Sequence, residues 1–388
     1  MSDNSHRFPA ILIGGPPHTG KSVLARSLKD ALKQAGIPHY GFSAAPDGEG
    51  DWSQDAPPEV VRAQRRKGAF TPAWVERIRR DLARRPLPFL IDVGGRPEPW
   101  QKVIFDHCTH AILLVTDADS QATWQAMMDE YNIVVIALLT SQPEGESILA
   151  ADRPLVRGTI TNLRRHQQAA GPVFEALLSR IKALFNYDYD QLLQLHQRQA
   201  PTDLVIDLRK LFRRLNSTRP GQRWEPSDLP GILNYLPTDT PLALYGIGPV
   251  WLYTAVACHT FPASFYQFDG RRGWVLPVSF STGAAGVPIK VISRETGDFL
   301  HLKLELPEDY LEYQEQMSLP LPPVPPHKTV VLDGKGPAWL YTGLALFYRQ
   351  APEIAVYQPQ LNQAITIFST AEARRHPIGD TFDYNPIE

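Results

Sequence analysis

The chain contains little cysteine, and this excludes one class of fold. Only two of its 388 residues are cysteines, Cys108 and Cys258, and both stand among apolar residues. A disulfide framework of the kind that holds small secreted domains together is therefore excluded. Two thiols in apolar surroundings are typical of a reducing compartment, so we expect a cytoplasmic protein.

The chain also lacks a strong net charge and a long apolar run. Its formal net charge of −2 gives no global positive field that would draw it onto duplex DNA, so any contact with nucleic acid must be local. No apolar stretch reaches the roughly 18 residues that a membrane span requires, and the first residues are polar, unlike a signal-peptide core. We expect neither duplex DNA nor a membrane among the partners.

The first half alternates short apolar runs with amphipathic stretches. Residues 88–95, 110–119 and 132–141 are almost continuously apolar, which is typical of strands buried on both faces of a parallel sheet. Residues 10–15 predict another strand, and residues 21–36 follow it with apolar side chains at helical spacing. We predict an α/β domain with a mostly parallel sheet over residues 1–190.

A phosphate-binding motif stands between the first predicted strand and helix. The segment "GPPHTGKS" (15–22) matches the P-loop pattern GxxxxGK[ST]. Its glycines would let backbone N–H groups face a phosphate chain, while the lysine reaches the terminal phosphates and the serine ligates Mg²⁺. The predicted P-loop residues are Gly15, Gly20, Lys21 and Ser22.

A second segment, "DVGG" (92–95), completes the predicted nucleotide site. Asp92 ends an apolar strand, where P-loop proteins place the carboxylate that holds Mg²⁺ through water. Gly95 belongs to a turn similar to the phosphate-sensing DxxG segment, with a purely structural turn as the alternative. An [NT]KxD segment is missing from "LLTSQPEG" (138–145), which favours ATP over GTP.

The segment 62–85 is strongly basic. It is either a solvated helix face or a lid in which Arg65, Arg66 and Lys67 clamp phosphates.

The second half is a tandem repeat. The stretch "LYGIGPVWLYTAVACH" (244–259) recurs as "LDGKGPAWLYTGLALF" (332–347). We predict two α/β repeats, at residues 191–296 and 297–388, which pack as a pseudo-dimer within one chain.

The repeated turn exposes backbone N–H groups at a helix start, where an anion can bind. The tryptophans that follow either stack on a base or fill the core. The predicted ligand-binding residues of the two turns are Gly246, Gly248, Trp251, Gly334, Lys335, Gly336 and Trp339.

A GxGPxWL segment after an apolar strand, a His late in the helix and an aromatic-Asp-x-Arg turn together resemble the small ring nucleases of type III CRISPR systems. That family cleaves cyclic tetra-adenylate and also occurs fused to a P-loop (AAA-like) domain. The resemblance covers residues 203–388 and implies dimers that sandwich the ring in a tetramer, with metal-stimulated cleavage. It places the essential His and Asp at His259 and Asp269 and the neighbouring catalytic Arg at Arg271. Arg271 or the ligand-binding Arg272 would neutralise the phosphate.

The second repeat departs from this pattern. Gln358 stands in place of Asp269 and Gln360 in place of Arg271, and glutamine cannot act as an acid, a base or an anionic ligand. Conversely, Lys335 in the second turn replaces Ile247 of the first. We therefore expect the first repeat to catalyse and the second to grip the ligand, with a homodimer or larger assembly rebuilding the four-unit sandwich.

The chemistry needs an aligned 2′-OH nucleophile, charge stabilisation and a proton donor. His259 would act as base or acid, and Asp269 would orient it or bind Mn²⁺ or Mg²⁺. The sequence thus predicts a ring nuclease of antiviral defence with an ATP- and Mg²⁺-binding domain. The alternatives are a 3′-deadenylating RNA exonuclease and a cyclic-adenylate sensor that regulates an ATPase or a small P-loop kinase.

Overall fold

The computed structural model describes residues 8–44, 72–94, 99–165, 167–216, 218–219, 223–284, 289–306, 311–370 and 376–386. The chain divides into two compact units. The first contains Met1–Gln194 with Gly270–Gly273, and the second contains Leu195–Asp269 with Trp274–Glu388.

The first unit contains one seven-stranded sheet. Its strands are β1 (Ala10–Gly14), β2 (Tyr40–Ser43), β3 (Phe89–Asp92), β4 (His110–Val115), β5 (Val134–Gln142), β6 (Ile148–Ala151) and β7 (Val156–Thr161). They follow the order β2-β3-β1-β4-β5-β7-β6. Strand β6 pairs antiparallel with β7, and the other described pairings of this sheet are parallel.

Helices cover this sheet. They are α1 (Lys21–Gln34), α2 (Pro72–Arg84), α3 (Ala118–Glu130) and α4 (Pro172–Leu184), with a 3₁₀ helix at Pro99–His107. The following helix, α5 (Tyr189–Arg198), contains the boundary between the two units. Apolar side chains of α1 and α4 pack with those of β1, β4 and β5 in one core. Because β1 and its neighbours are parallel, their carboxyl ends meet at one edge of the sheet, and the loop that joins β1 to α1 lies there.

The second unit contains three sheets. Its strands are β8 (Val205–Asp207), β9 (Leu242–Tyr245), β10 (Phe265–Asp269), β11 (Gly273–Val275), β12 (Ser279–Thr282), β13 (Lys290–Thr296), β14 (Phe299–Glu305), β15 (Gln316–Leu319), β16 (Thr329–Gly334), β17 (Glu353–Gln358), β18 (Gln363–Ser369) and β19 (Thr381–Asp383). Their orders are β11-β10-β9-β8, β13-β14-β16-β17-β18-β19 and the pair β12-β15.

The two halves of this unit share a topology. The helices are α6 (Leu208–Leu215), α7 (Leu229–Tyr235), α8 (Val250–Thr260) and α9 (Ala338–Phe347), with a 3₁₀ helix at Pro226–Asp228. Strands β8, β9 and β10 are parallel neighbours, as are β14, β16 and β17, and a helix follows the middle strand in each case. Helices α8 and α9 pack together, and apolar residues of both halves form one core.

The predicted α/β class with mostly parallel sheets is confirmed. The finer predictions, a P-loop fold and a pseudo-dimer divided at residues 190 and 296, stay predictions. Across the described ranges, no helix is both long enough and apolar enough to cross a membrane.

Candidate functional site

Two glycines fix the path of the loop between β1 and α1. Gly15 has φ +145° and Gly20 has φ +80°, values that L side chains rarely adopt. A methyl group on Gly15 would lie 2.0 Å from the carbonyl oxygen of Leu114, and one on Gly20 would lie 2.4 Å from Cβ of Leu163. Only glycine fits either position, which agrees with a loop whose backbone must approach a ligand closely.

Lys21 begins α1 and folds back over this loop. Its Nζ donates hydrogen bonds to the carbonyl oxygens of Pro16, at 2.6 Å, and Gly15, at 3.0 Å. Burial lowers the pKa of Lys21, and the nearby Asp92 carboxylate partly opposes this shift. The structure therefore holds the ammonium group within the curl of the loop, where the sequence predicted a phosphate contact.

Ser22 and Asp92 come together at the same edge of the sheet. The Ser22 hydroxyl donates to Oδ2 of Asp92 at 2.6 Å, although the residues are 70 positions apart in the chain. Asp92 ends β3, which pairs with β1, and is 8% exposed. A hydroxyl and a carboxylate are oxygen ligands of the kind that Mg²⁺ prefers, so these two residues fit the predicted ion. Gly95 and the predicted lid residues Arg65, Arg66 and Lys67 lie outside the described part of the chain.

The two GxGP turns of the second unit have the same backbone conformation. Gly246 has φ +113° and Gly334 has φ +110°. The prolines that cap the following helices also match, with φ and ψ of −70° and 153° at Pro249 and −69° and 150° at Pro337. The sequence repeat is therefore a repeat of local structure. Gly248 and Gly336 complete the turns.

The tyrosine of the repeated motif holds each turn in place. The Tyr253 hydroxyl donates to the carbonyl of Gly246 at 2.5 Å, and the Tyr341 hydroxyl donates to the carbonyl of Asp333 at 3.0 Å. Burial raises the pKa of both phenols, so they remain neutral donors. This bonding accounts for the recurrence of the tyrosine without any contact with a ligand.

The tryptophans of the motif are core residues. Trp251 is 2% exposed and Trp339 is 3% exposed. Neither ring has a free face for a base, so of the two sequence interpretations the structure agrees with packing and corrects the predicted stacking role. Lys335 is exposed at the tip of its turn, and Ile247 occupies the same place in the first turn with 88% exposure.

His259 and Asp269 lie at opposite edges of the β9–β10 sheet. Asp269 ends β10 and lies near Tyr253, in the first turn of α8, whose pKa is raised mainly by burial and in smaller part by the Asp269 carboxylate. His259 lies in the last turn of α8, and its Nε2 is 3.3 Å from the carbonyl oxygen of Leu236, which precedes β9. Helix α8 has 11 residues, so its ends are about 15 Å apart at 1.5 Å per residue. The predicted catalytic pair is not assembled within one chain, because the helix runs antiparallel to the strands that it connects.

The two arginines assigned to the phosphate contact a carboxylate that the sequence analysis did not single out. Arg271 Nε donates to Oδ2 of Asp81 at 2.6 Å, and Arg272 lies 3.5 Å from the other oxygen. The Arg271 guanidinium also lies 4.9 Å from the ring centroid of Phe42. Arg271 is 9% exposed, so the structure gives it a buried ion pair and not an open catalytic position. Asp81 has no motif around it, and only the fold identifies it.

The described residues contain no group of three His, Cys, Asp or Glu side chains that could hold a metal ion. The predicted role of Asp269 as a metal ligand therefore has no supporting ligand cluster in that part of the chain.

A comparison with protein families bears on the second half of the chain. Residues 304–382 match the family model of CRISPR-associated protein (Cas_csx3). This segment is thus similar to a CRISPR-associated protein. The matched residues contain β16, the Gly334 turn, α9, β17 and β18, which is the core of the predicted second repeat. The predicted CRISPR association is thereby supported.

Proposed function

We propose that the chain is a ring nuclease that cleaves cyclic tetra-adenylate and is joined to an ATP-binding P-loop domain. One observation carries the proposal. The turn at Gly334 lies inside the segment that is similar to a CRISPR-associated protein, and the turn at Gly246 reproduces its backbone angles after an equivalent strand and before an equivalent helix. On this basis residues 203–296 are a second domain of the same kind, and they carry the His and Asp that the other copy lacks.

His259 and Asp269 lie at opposite ends of the strands β9 and β10, and this separation favours a site to which two chains contribute. One chain presents Asp269 at the carboxyl edge of its β9–β10 sheet and His259 at the amino edge. If two copies stack with unlike edges facing, His259 of one copy meets Asp269 of the other. This arrangement agrees with the homodimer or larger assembly that the sequence predicts.

In such a site the substrate supplies the nucleophile, because each adenylate carries a 2′-OH beside its own phosphodiester. His259 would take the proton from this hydroxyl or give one to the leaving 5′-oxygen. Asp269 would hold the imidazole in the required orientation by accepting from its other N–H group. A divalent cation would supply further charge stabilisation. The described residues contain no ligand cluster for such a cation, so no step of the proposed cleavage depends on it.

For the first unit we propose ATP binding with Mg²⁺ at Ser22 and Asp92. The 2.6 Å hydrogen bond between their side chains places two suitable oxygens at the start of α1. On ATP binding, the Lys21 ammonium would leave the loop carbonyls and contact the terminal phosphates. The negative charge of the phosphates would then raise the pKa of Lys21, which burial lowers in the free protein.

The test is a complementation experiment with purified full-length variants. His259→Ala and Asp269→Asn should each fail to cleave cyclic tetra-adenylate, while an equimolar mixture recovers part of the wild-type rate, because mixed assemblies contain intact sites. His327→Ala, an exposed histidine of the same unit, is the control and should cleave normally. Wild-type rates in both single variants would refute the proposal.

A cyclic-adenylate sensor is the second candidate. The second repeat favours it, because Gln358 and Gln360 stand there in place of Asp269 and Arg271. A sensor would bind the ring in wild type and in the mixture without producing linear adenylates, and ring binding would change the rate of ATP hydrolysis.

A further inference from the structure

The end of α8 that carries His259 is flanked by two arginine–aromatic pairs. The guanidinium carbon of Arg214 lies 5.3 Å from the ring centroid of Tyr235, and that of Arg349 lies 4.7 Å from the ring centroid of Phe261. These distances are typical of cation–π contacts. Each pair therefore presents a positive charge and an aromatic ring together.

Both pairs are tied to backbone positions next to His259. Tyr235 ends α7, and the carbonyl of the following residue, Leu236, lies 3.3 Å from Nε2 of His259. Arg349 Nε donates at 3.1 Å to the carbonyl of Cys258, the residue before His259. Phe261 caps α8 two residues after His259. Each pair is thus held next to a residue that adjoins His259.

The two rings are exposed, unlike the tryptophans of the repeated turn. Tyr235 is 45% exposed and Phe261 is 46% exposed. Large aromatic rings left open to water beside cations are the feature by which proteins bind single-stranded nucleic acid, because every base has a face that can stack. A purely structural role for these rings would have favoured burial.

The segment that supplies Arg214 is basic in sequence although the chain carries a net charge of −2, and its Arg219 pairs with Asp228. Residues 209–223 contain six Arg or Lys and no Asp or Glu, whereas residues 305–315, which follow the equivalent strand β14, contain five Asp or Glu and no Arg or Lys. Two carboxylates also lie at the amino ends of parallel strands of this unit. Asp239 is exposed in the connection from α7 to β9, and Glu353 is 1% exposed and accepts from Thr329 and His376.

We propose that Arg214, Tyr235, Phe261 and Arg349 bind two consecutive nucleotides of a single-stranded oligoadenylate and place the linkage between them beside His259. The bases stack on Tyr235 and Phe261, and the guanidinium groups of Arg214 and Arg349 contact the phosphates. This inference rests on the proposed function, since His259 is the acid–base group of the proposed cleavage.

The arrangement also assigns a role to the second repeat. Arg349 follows α9 and belongs to the second repeat, yet its guanidinium lies at the end of α8, in the first. It supplies the cation that Arg271 cannot supply from its ion pair with Asp81. The two repeats then complete one phosphate-binding face.

The experiment measures binding of two uncleavable probes, cyclic tetra-adenylate with 2′-deoxy sugars and linear hexa-adenylate with 2′-O-methyl sugars. Tyr235→Ala and Phe261→Ala should each weaken binding about 5- to 100-fold, from the usual effect of removing one stacking partner. Arg214→Met and Arg349→Met keep the apolar stem and should weaken binding about tenfold. Each should also reduce the slope of log affinity against log salt by about 0.7 per lost phosphate contact.

Two further variants separate charge from packing. Arg349→Lys keeps a cation and should recover part of the affinity lost in Arg349→Met, which a merely structural role would not predict. Arg294→Met removes an exposed arginine from β13, an edge strand of the six-stranded sheet, and should bind both probes as wild type does.

The outcomes distinguish this inference from the proposed function. If wild type cleaves the natural ring and all four variants bind both probes normally, the inference is wrong and the nuclease stands. If wild type does not cleave the ring but binds the linear probe in a manner that depends on Tyr235 and Phe261, the face is upheld and the ring nuclease is not. Failure of wild type to bind either probe overturns both.

Discussion

We expect the loss of Arg271 to act mainly on the stability of the protein and not on catalysis. The side chains of Arg271 and Asp81 are 10% and 6% exposed, and their atoms lie 2.6 Å apart. Removing one member of a buried ion pair costs about 3–5 kcal/mol, because the other charge stays buried without its partner. Arg272, 3.5 Å from Asp81, remains as a second cation, so we expect Arg271→Ala to cost about 3 kcal/mol, the low end of that range.

For a unit of this size each kcal/mol lowers the melting temperature by about 2–4 °C, so the expected decrease is about 6–12 °C. Differential scanning calorimetry of the full chain measures it. Arg79→Ala is the matched control, because Arg79 pairs with Glu76 on the same helix while both are exposed. Such an exposed pair contributes little to stability, so the melting temperature of Arg79→Ala should stay close to that of wild type.

A double variant, Asp81→Asn with Arg271→Met, removes both charges and should recover much of the lost stability. If Arg271→Ala left every transition within about 1 °C of wild type while abolishing ring cleavage, the buried-pair argument would be refuted and Arg271 would regain its catalytic assignment.

Three other predictions follow from single groups. Gly20→Ala should abolish ATP binding in a fluorescent-nucleotide titration. Gly36→Ala is also at positive φ but has no atom within 4 Å of the added methyl, so it should lower the free energy of unfolding only by the backbone strain of about 1–2 kcal/mol. Burial raises the pKa of both Cys108 and Cys258 to about 12, so a thiol reagent at pH 8 should label neither in the native protein and both in urea; rapid native labelling would contradict this. Burial also raises the pKa of Asp333 above its usual 3.8, so ionisation of this carboxyl destabilises the fold as the pH rises. The melting temperature of Asp333→Asn should therefore exceed that of wild type by an amount that grows as the pH is raised from 4 to 7. A difference that stays constant over this range would count against this reasoning.

Periodicity and motif context predicted much of the fold. Continuous apolar runs gave β1, β3, β4 and β5, since strands buried on both faces need no polar residues. Strands without such a pattern were missed, among them β6, β13 and β19. The residues of β6 and β13 are all exposed or half-buried, and positions on edge strands impose little on composition.

The loop at residues 15–22 was the most predictable part of the candidate site. A P-loop is a local structure, so its glycines, lysine and serine must occur at fixed spacing in the chain. The approach of Ser22 to Asp92 also followed from sequence, because Asp92 ends β3 and Ser22 follows the loop after the neighbouring parallel strand β1.

By itself, the sequence determined the α/β class, the glycine-rich loop at residues 15–22 and the repeated turn, because each depends on residues close together in the chain. Only the tertiary structure decided that Arg271 pairs with Asp81, 190 positions away, and that His259 and Asp269 lie at opposite ends of α8. It also brought Arg349 to the first repeat. These are contacts between distant segments, fixed by how helices pack on sheets, and no local pattern of residues encodes them.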